Sequence, residues 1–569
     1  MAGHRGEQTG GPAMGTTARP APVPTFAPLG EAAYRTVWSA SVVSNLGTFL
    51  QLTAGPWLMN ELTGSPFMVS LVTSALTLPR LLLTIPAGAL ADAFDRRNLM
   101  ITGSAVSGLS TAAMAVLAWT DAITPALLLS LTFGLGVGSA ITLPAQQTLV
   151  PDLVPAPLRA QAITLNSAAF NVARAVGPSL GGLLVGAGLT ATSFGLNAAT
   201  FTLVIGVLLS FPRQPAEDDS RGHLWRAAAL GMRYVRFTQP IRVLIAVTGA
   251  FVLTASSVQT LLPTVVSDDL ALGATGFGLL YGVFGLGALA GVVGRERARL
   301  RLGRHMLPGA VTAFGIGGVV FGLAPGPLVA GVGLALSGVA WTWTLITLNA
   351  SIQTLAPRWI RGRVVSLYLL AVGLQPIGAF TAGAIAEGIG SGRSVAVLCA
   401  GTAVLGVVAF RLDLPVLGDI AEPAPPEDFA IPRHAEQVAG TPVLVATTIE
   451  VDPDDIEDLL ADMRELRRMR FRTGAHRWSL YRDADRPHRI TEFFTVADWE
   501  EHLAQHARID VAAAAVLAKV RSYDRAGGPV TRHLAGLDIL NPVSKPIAEQ
   551  LLTVHSELHA TDGSMPLEG

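Results

Sequence analysis

The sequence predicts an all-α polytopic membrane protein of about twelve transmembrane helices with a small α+β domain appended at its C-terminal end. Composition is the first ground: 50% of the 569 residues are hydrophobic and 14% are charged, where a soluble domain carries about 25% charged. The second is the uneven placement of charge. Residues 35–412 hold no Lys and few acids, whereas 413–569 are dense in both signs. The third is the 60 Gly, since small residues let helices approach closely in lipid.

Residues 1–30 are rich in Gly, Pro, Ala and Thr and lack an apolar core, so a disordered cytoplasmic tail is expected there. A crossing needs roughly 20 apolar residues. That window places spans near 36–59, 66–90, 98–119, 125–149, 162–187 and 191–211. A second set follows near 241–266, 275–294, 307–324, 327–354, 363–387 and 393–411. Asn349 interrupts the tenth run, and Gln375 with Pro376 interrupts the eleventh. The chain thus divides into a six-helix half (31–211), a cytoplasmic linker (212–240), a second six-helix half (241–412), a Pro-rich linker (413–440), an α+β domain (441–540) and a tail (541–569). The single Cys399 excludes a disulfide framework.

Arginine sets the orientation. Arg96, Arg97, Arg159, Arg213, Arg221, Arg297, Arg304, Arg358 and Arg361 fall on alternate connections, and the opposite connections hold Arg393 alone. Positive charge stays cytoplasmic, which places both termini there. In the central linker Leu224, Trp225, Ala228, Met232 and Val235 recur at helical spacing between Arg residues. An amphipathic helix on the inner leaflet and a plain interdomain linker both fit that pattern.

The halves echo each other: Pro155, Arg159, Leu165 and Gly181 recur at one constant offset as Pro357, Arg361, Leu367 and Gly383. After span two comes Gly88-Ala-Leu-Ala-Asp92-Ala-Phe-Asp-Arg96-Arg97. Gly88 permits close helix contact, and a carboxylate at Asp92 suits the positive N-terminal end of a neighbouring helix. This loop resembles the signature between helices two and three of the major facilitator superfamily. The resemblance implies a cytoplasmic latch of Asp92, Arg96 and Arg97 toward helix eleven, which begins near Arg361, favouring the outward-facing state. The equivalent loop of the second half, 291–304, has no Asp.

Span five carries Asn166, Asn171, Arg174, Gly177, Pro178, Gly181 and Gly182. Proline removes a donor and bends a helix, while glycines allow close packing on a neighbour. The run resembles the helix-five motif of exporters in the superfamily. Together with Ser44-Asn45-Leu46-Gly47 through Gln51, it is similar to the transmembrane secretion effector family, which includes enterobactin and drug exporters. That resemblance covers the membrane region and the C-terminal domain. It implies a major facilitator fold that exports a siderophore-like or amphipathic, antibiotic-like molecule by alternating access, with proton antiport.

Ionisable groups inside a span are costly and usually face protein or water. Arg174 is the best case for lining a cavity or tying span five to a partner, and Arg80 is a substrate-cavity candidate whose long side chain can equally snorkel. Asn45, Gln51, Asn166, Asn171, Gln259 and Asn349 are candidates for a substrate cavity or for interhelical hydrogen bonds. Trp341 and Trp343 can offer aromatic walls to a bulky ligand, or pack as core. Glu387 at a span end is the coupling candidate, with an interfacial surface carboxylate as the other reading. No metal, cofactor or nucleic-acid partner is expected.

In the C-terminal domain, 443–451, 475–481 and 488–496 read as strands, and 453–470, 499–506 and 511–520 as helices. This β-α-β-β-α order fits a ferredoxin-like domain. It resembles the dimeric α/β-barrel modules related to antibiotic-biosynthesis monooxygenases, which implies possible dimerisation. Trp478, Tyr481, Trp499, His502 and His506 can line a pocket. A dimerising or regulatory module and a membrane-anchored sensor or enzyme therefore both stand at this point.

Overall fold

The computed structural model describes residues 24, 26–93, 95–210, 224–357, 359–412 and 441–536. The expected linker 413–440, the tail 541–569 and most of the N-terminal tail lie outside the described residues.

The first bundle comprises α1 (Ala32–Thr63), α2 (Pro66–Ala93), α3 (Arg96–Trp119), α4 (Pro125–Asp152), α5 (Arg159–Gly186) and α6 (Thr190–Leu209). After α7 (Leu224–Phe237), the second begins with α8 (Gln239–Thr260), extended by the single turn α9 (Leu262–Thr264) and a π turn, Val265–Asp269. It continues with α10 (Ala274–Leu302), α11 (Met306–Gly322), α12 (Pro327–Leu355), α13 (Arg361–Val372), α14 (Gln375–Ile389) and α15 (Ser391–Ala409).

Among the described residues, ten segments are long and apolar enough to cross a membrane. One of them, Ala274–Gly322, runs for 49 residues and holds both α10 and α11. Gly303 reverses the chain between them at φ 50°, a conformation costly for a side-chain-bearing residue.

Local chemistry explains the boundaries. Pro66, Pro125 and Pro327 open α2, α4 and α12, where a missing N–H costs nothing. Asp95 caps α3 by accepting the Asn98 N–H at 2.8 Å. The break between α13 and α14 falls at Gly373–Leu374, because Pro376 has no N–H to bond the carbonyl four residues back and its ring crowds that carbonyl, so it sits in the first turn of a new helix. Leu109, Val293 and Leu328 are largely exposed on the bundle surface. Such a surface suits lipid rather than water.

The C-terminal domain runs β1 (Val443–Glu450), α16 (Ile456–Thr473), β2 (Arg477–Arg482), β3 (Arg489–Val496), α17 (Trp499–Ala507), α18 (Val511–Ser522) and β4 (Val530–Ala535). Its antiparallel sheet has the order β2-β3-β1-β4. Strand β3 alternates buried and half-buried residues, and its buried Ile490, Glu492, Phe494 and Val496 face the helices. Leu459, Met463 and Leu466 form the apolar stripe of α16 that covers this face. Asp498 and Asp510 cap α17 and α18 through the Glu501 and Ala513 amides, at 2.8 and 2.7 Å. Strand β4 was not among the expected elements.

Helix α7 joins the two parts. Its Tyr234 packs edge-on against Trp359, and Phe237 stacks on Phe471 of α16 with centroids 4.7 Å apart. Part of the apolar face assigned to the inner leaflet is thus covered by protein, although Met232 remains exposed.

Candidate functional site

The bundles meet along α5 and α10, where backbones touch. A Cβ on Gly278 would lie 2.5 Å from Gly182 Cα and 2.8 Å from Pro178 O. No side chain fits there, so both positions require glycine. Gly177 and Gly181 face the other way, onto α1: a Cβ on each would meet Phe49 Cβ at 2.5 Å and Leu50 O at 2.9 Å. Pro178 lies inside α5, and its carbonyl accepts the Thr53 hydroxyl at 3.4 Å. Gly177, Pro178, Gly181 and Gly182 therefore serve two neighbours at once.

Arg174, one helical turn before Pro178, reaches from α5 into the second bundle. Its guanidinium lies 5.6 Å from the Phe284 ring centre and 5.8 Å from that of Trp341. Phe284 ends a file of rings on α10 with Phe277 and Tyr281. Trp57 of α1 stacks on Phe277 at 5.7 Å, and Trp341 packs on Phe251 and Phe314. Arg174 is half-buried, and a cation beside aromatic faces there is worth about 1–2 kcal/mol. Such a surface recognises flat apolar groups carrying neutral or negative substituents. Sequence reasoning reached Arg174 and Trp341 but missed Phe277, Tyr281 and Phe284, although their spacing of four and three marks one helix face.

The other candidates scatter. Gln51 lies buried inside the first bundle, accepting from Asn197 at 2.5 Å and Thr111 at 3.3 Å. Asn171 donates to Ser167 O one turn back in its own helix, at 2.9 Å. Asn349 accepts from Gln353 on its own helix, and Trp343 ties α12 to α10 by donating to Gly291 O at 2.8 Å. Asn45, Arg80 and Asn166 are half-buried on α1, α2 and α5. Gln259 of α8 has a buried Nε2 with no hydrogen-bond partner among the described residues, which leaves a donor for a bound molecule.

At the end remote from the C-terminal domain the bundles close on each other. Asn60 donates to Ser267 at 2.9 Å. Glu387 of α14 accepts from the Ser65 hydroxyl and from the Phe67 N–H at the start of α2. At the opposite end, Arg97 donates to Leu208 O at 2.6 Å and Leu209 O at 3.0 Å. It thus neutralises the C-terminal carbonyls of α6. Arg96 neighbours it at the start of α3. Gly88 and Asp92 belong to the helical run of α2, but their side chains lie outside the described residues.

Comparison with known proteins agrees with this architecture. The sequence pattern of the transmembrane secretion effector family matches residues 23–537. The multidrug efflux pump Tap of Mycolicibacterium fortuitum is 31% identical over 398 residues, covering 66% of this chain and 94% of its own. The enterobactin exporter EntS of Escherichia coli is 27% identical over 341 residues, covering 59% of this chain and 80% of its own. Among solved structures, a POT family transporter in complex with a thioalcohol-conjugated peptide superposes with TM-score 0.56 at 13% identity. It covers 67% of this chain and 96% of its own.

Proposed function

This chain belongs to the transmembrane secretion effector family, and from that premise we propose that it exports an amphipathic small molecule, siderophore-like or drug-like, by alternating access. The names of its relatives support efflux. The observation that carries the reading is Arg174 crossing from one bundle to the aromatic file of the other. A ligand held there touches both bundles, so rocking one against the other changes its access.

In this reading the chain makes twelve crossings in two halves of a bacterial inner membrane, with both termini cytoplasmic, as the arginine distribution supports. The closure at Glu387 and Asn60 then belongs to an inward-open state. Glu387 is the proton-coupling candidate because its carboxylate bridges α14 to α2, and protonation weakens that bridge. Asp92, Arg96 and Arg97 would latch the opposite end in the outward-facing state. The C-terminal domain is read as a ferredoxin-like module, which its strand order supports, and pairing with a second copy is what its resemblance to dimeric modules implies.

Everted vesicles given a panel of flat amphipathic compounds from outside test this. Uptake driven by a proton gradient is expected, and Arg174→Ala should lower it about tenfold, the equivalent of one cation–π contact. Uptake unchanged when the gradient is collapsed would refute antiport. A deletion strain that accumulates every compound no more than its parent would refute export.

A further inference from the structure

A cavity lies outside the membrane helices, between the sheet of the C-terminal domain and its three helices. Its volume is about 780 Å³, within the range that holds a drug-sized ligand. Ile449, Leu466, Phe494 and Leu517 make its apolar walls. Its floor is an ion pair: Arg470 donates to both Glu492 oxygens at 3.0 Å, and Trp478 Nε1 adds a third hydrogen bond at 2.8 Å. Glu492 is 1% exposed and Arg470 9%, so the pair is internally neutralised and leaves no net charge for a ligand to match. The Arg470 guanidinium also covers the Phe494 ring at 4.3 Å.

Three imidazoles, His502, His506 and His533, supply the polar side. Burial beside the other two pushes His502 down to about 3, so it is neutral at physiological pH. The mouth is at β4, an edge strand whose Thr531 faces the cavity yet stays exposed, with Arg521 beside it. Flat apolar walls, a neutral imidazole at His502 and Arg521 at the entrance select an aromatic molecule that is neutral or weakly acidic.

The walls of this cavity are continuous with the contacts that dock the domain. Arg470 in the floor precedes Phe471, which stacks on Phe237 of α7. Arg233 of α7 donates to Gly474 O and Ala475 O, at 3.2 and 2.7 Å, where α16 ends. Ile509 in the wall follows Arg508, whose guanidinium lies 4.4 Å over Trp359 between α12 and α13. Arg508 also donates to Thr473 O at 2.8 Å and pairs with Glu501 of α17. A shift of α16 or α17 around a ligand therefore moves side chains that touch α7 and the connection between α12 and α13.

We propose that this cavity is a regulatory site for a neutral or weakly acidic aromatic small molecule, whose occupancy reaches the membrane helices through α16, Arg508 and α7. The site stands independently of the cargo and direction of transport. It is tested on the full chain in lipid nanodiscs by hydrogen exchange, with 2-hydroxy-1,4-naphthoquinone, a planar phenol and an aromatic carboxylate as probes. At about ten times its Kd a binding probe should slow exchange of β3 and α17 about tenfold, with α7 slowed as well. Thr531→Trp should plug the mouth and abolish that protection, and Thr531→Val should keep it, which separates plugging from loss of fold.

Arg233→Ala should leave β3 and α17 protected but release α7. Protection by none of the probes, or protection untouched by Thr531→Trp, would overturn the site. Protection that never reaches α7 would overturn its coupling. Turnover of a probe by the wild type, lost in Thr531→Trp, would make the cavity an active site and overturn the regulatory reading. An Arg174→Ala chain should bind the probes unchanged, so failure of the export reading is distinguishable from failure of this one.

Discussion

Helices α5 and α10 meet through Gly182 and Gly278, whereas β3 and α16 meet through Glu492 and Arg470. The contrast follows from the solvent. In lipid, apolar side chains gain nothing by leaving their surroundings, so helices associate by close van der Waals approach, and small residues permit it. In water, burial of Leu459, Met463 and Leu466 drives collapse, and a polar group inside must bring its partner. The same chain thus uses two packing rules, one in α1–α15 apart from α7 and one in the domain from Val443 onward, which contact each other through α7.

Removing one partner of the buried pair should have the largest effect on stability. Glu492→Leu strands the Arg470 charge, and the C-terminal domain is expected to lose about 3–5 kcal/mol. Limited proteolysis of the full chain should then cut within 441–536 while the bundles stay intact. Equal cutting in both regions would dissolve the proposed division.

Gly182→Leu tests the other rule. Overpacking a close contact costs about 1–3 kcal/mol, and at a moving interface that cost should appear as transport reduced about tenfold or more at normal expression. Gly182→Ala should fall between. Transport at the wild-type rate in Gly182→Leu would mean that α5 and α10 are not in contact during the cycle.

Acid separates the regions as well. Below about pH 6.5 an unfolded chain protonates its histidines, while folded His502, held near 3 by burial and by His506 and His533, does not. The unfolded state then binds more protons, so stability of the domain falls as pH drops from about 6.5 toward 3. At pH 5 the loss is on the order of 1–2 kcal/mol. Thermal unfolding of the domain at pH 7.5 and pH 5 measures it, and His502→Phe should flatten the dependence. The smallest effect belongs to the exposed Arg468–Glu465 pair. Arg468→Ala should change stability by less than about 0.5 kcal/mol, and a larger loss would show that surface pairs matter more here than solvent screening permits.

Much of the architecture was legible beforehand for reasons that are local. A run of roughly 20 apolar residues can satisfy its backbone in lipid only as a helix, so each expected span falls on a helix, although among the described residues ten segments rather than twelve are long and apolar enough to cross, and α1, the place of the first expected span, is not one of them. Pro66, Pro125 and Pro376 mark helix starts because proline lacks a donor there. In the C-terminal domain, alternation in 489–496 revealed β3, but Val530–Ala535 alternates weakly because its inner face at Thr531 is left uncovered. Strand β4 is therefore visible only through its pairing with β1.

What only tertiary structure decided is direction. When a helix is apolar toward lipid and also toward its neighbours, its periodicity carries little information about which face is which. Gln51 and Arg174 both offered a polar group inside a span, yet one turns into its own bundle toward Asn197 and the other crosses to Phe284 and Trp341. The pairing of Gly182 with Gly278, the neutralised floor of Arg470 and Glu492, and the seat of Arg508 on Trp359 likewise join residues far apart in the chain. Apolar length and backbone chemistry determined that these helices exist. Which side chains meet depended on packing between segments, and no single segment encodes it.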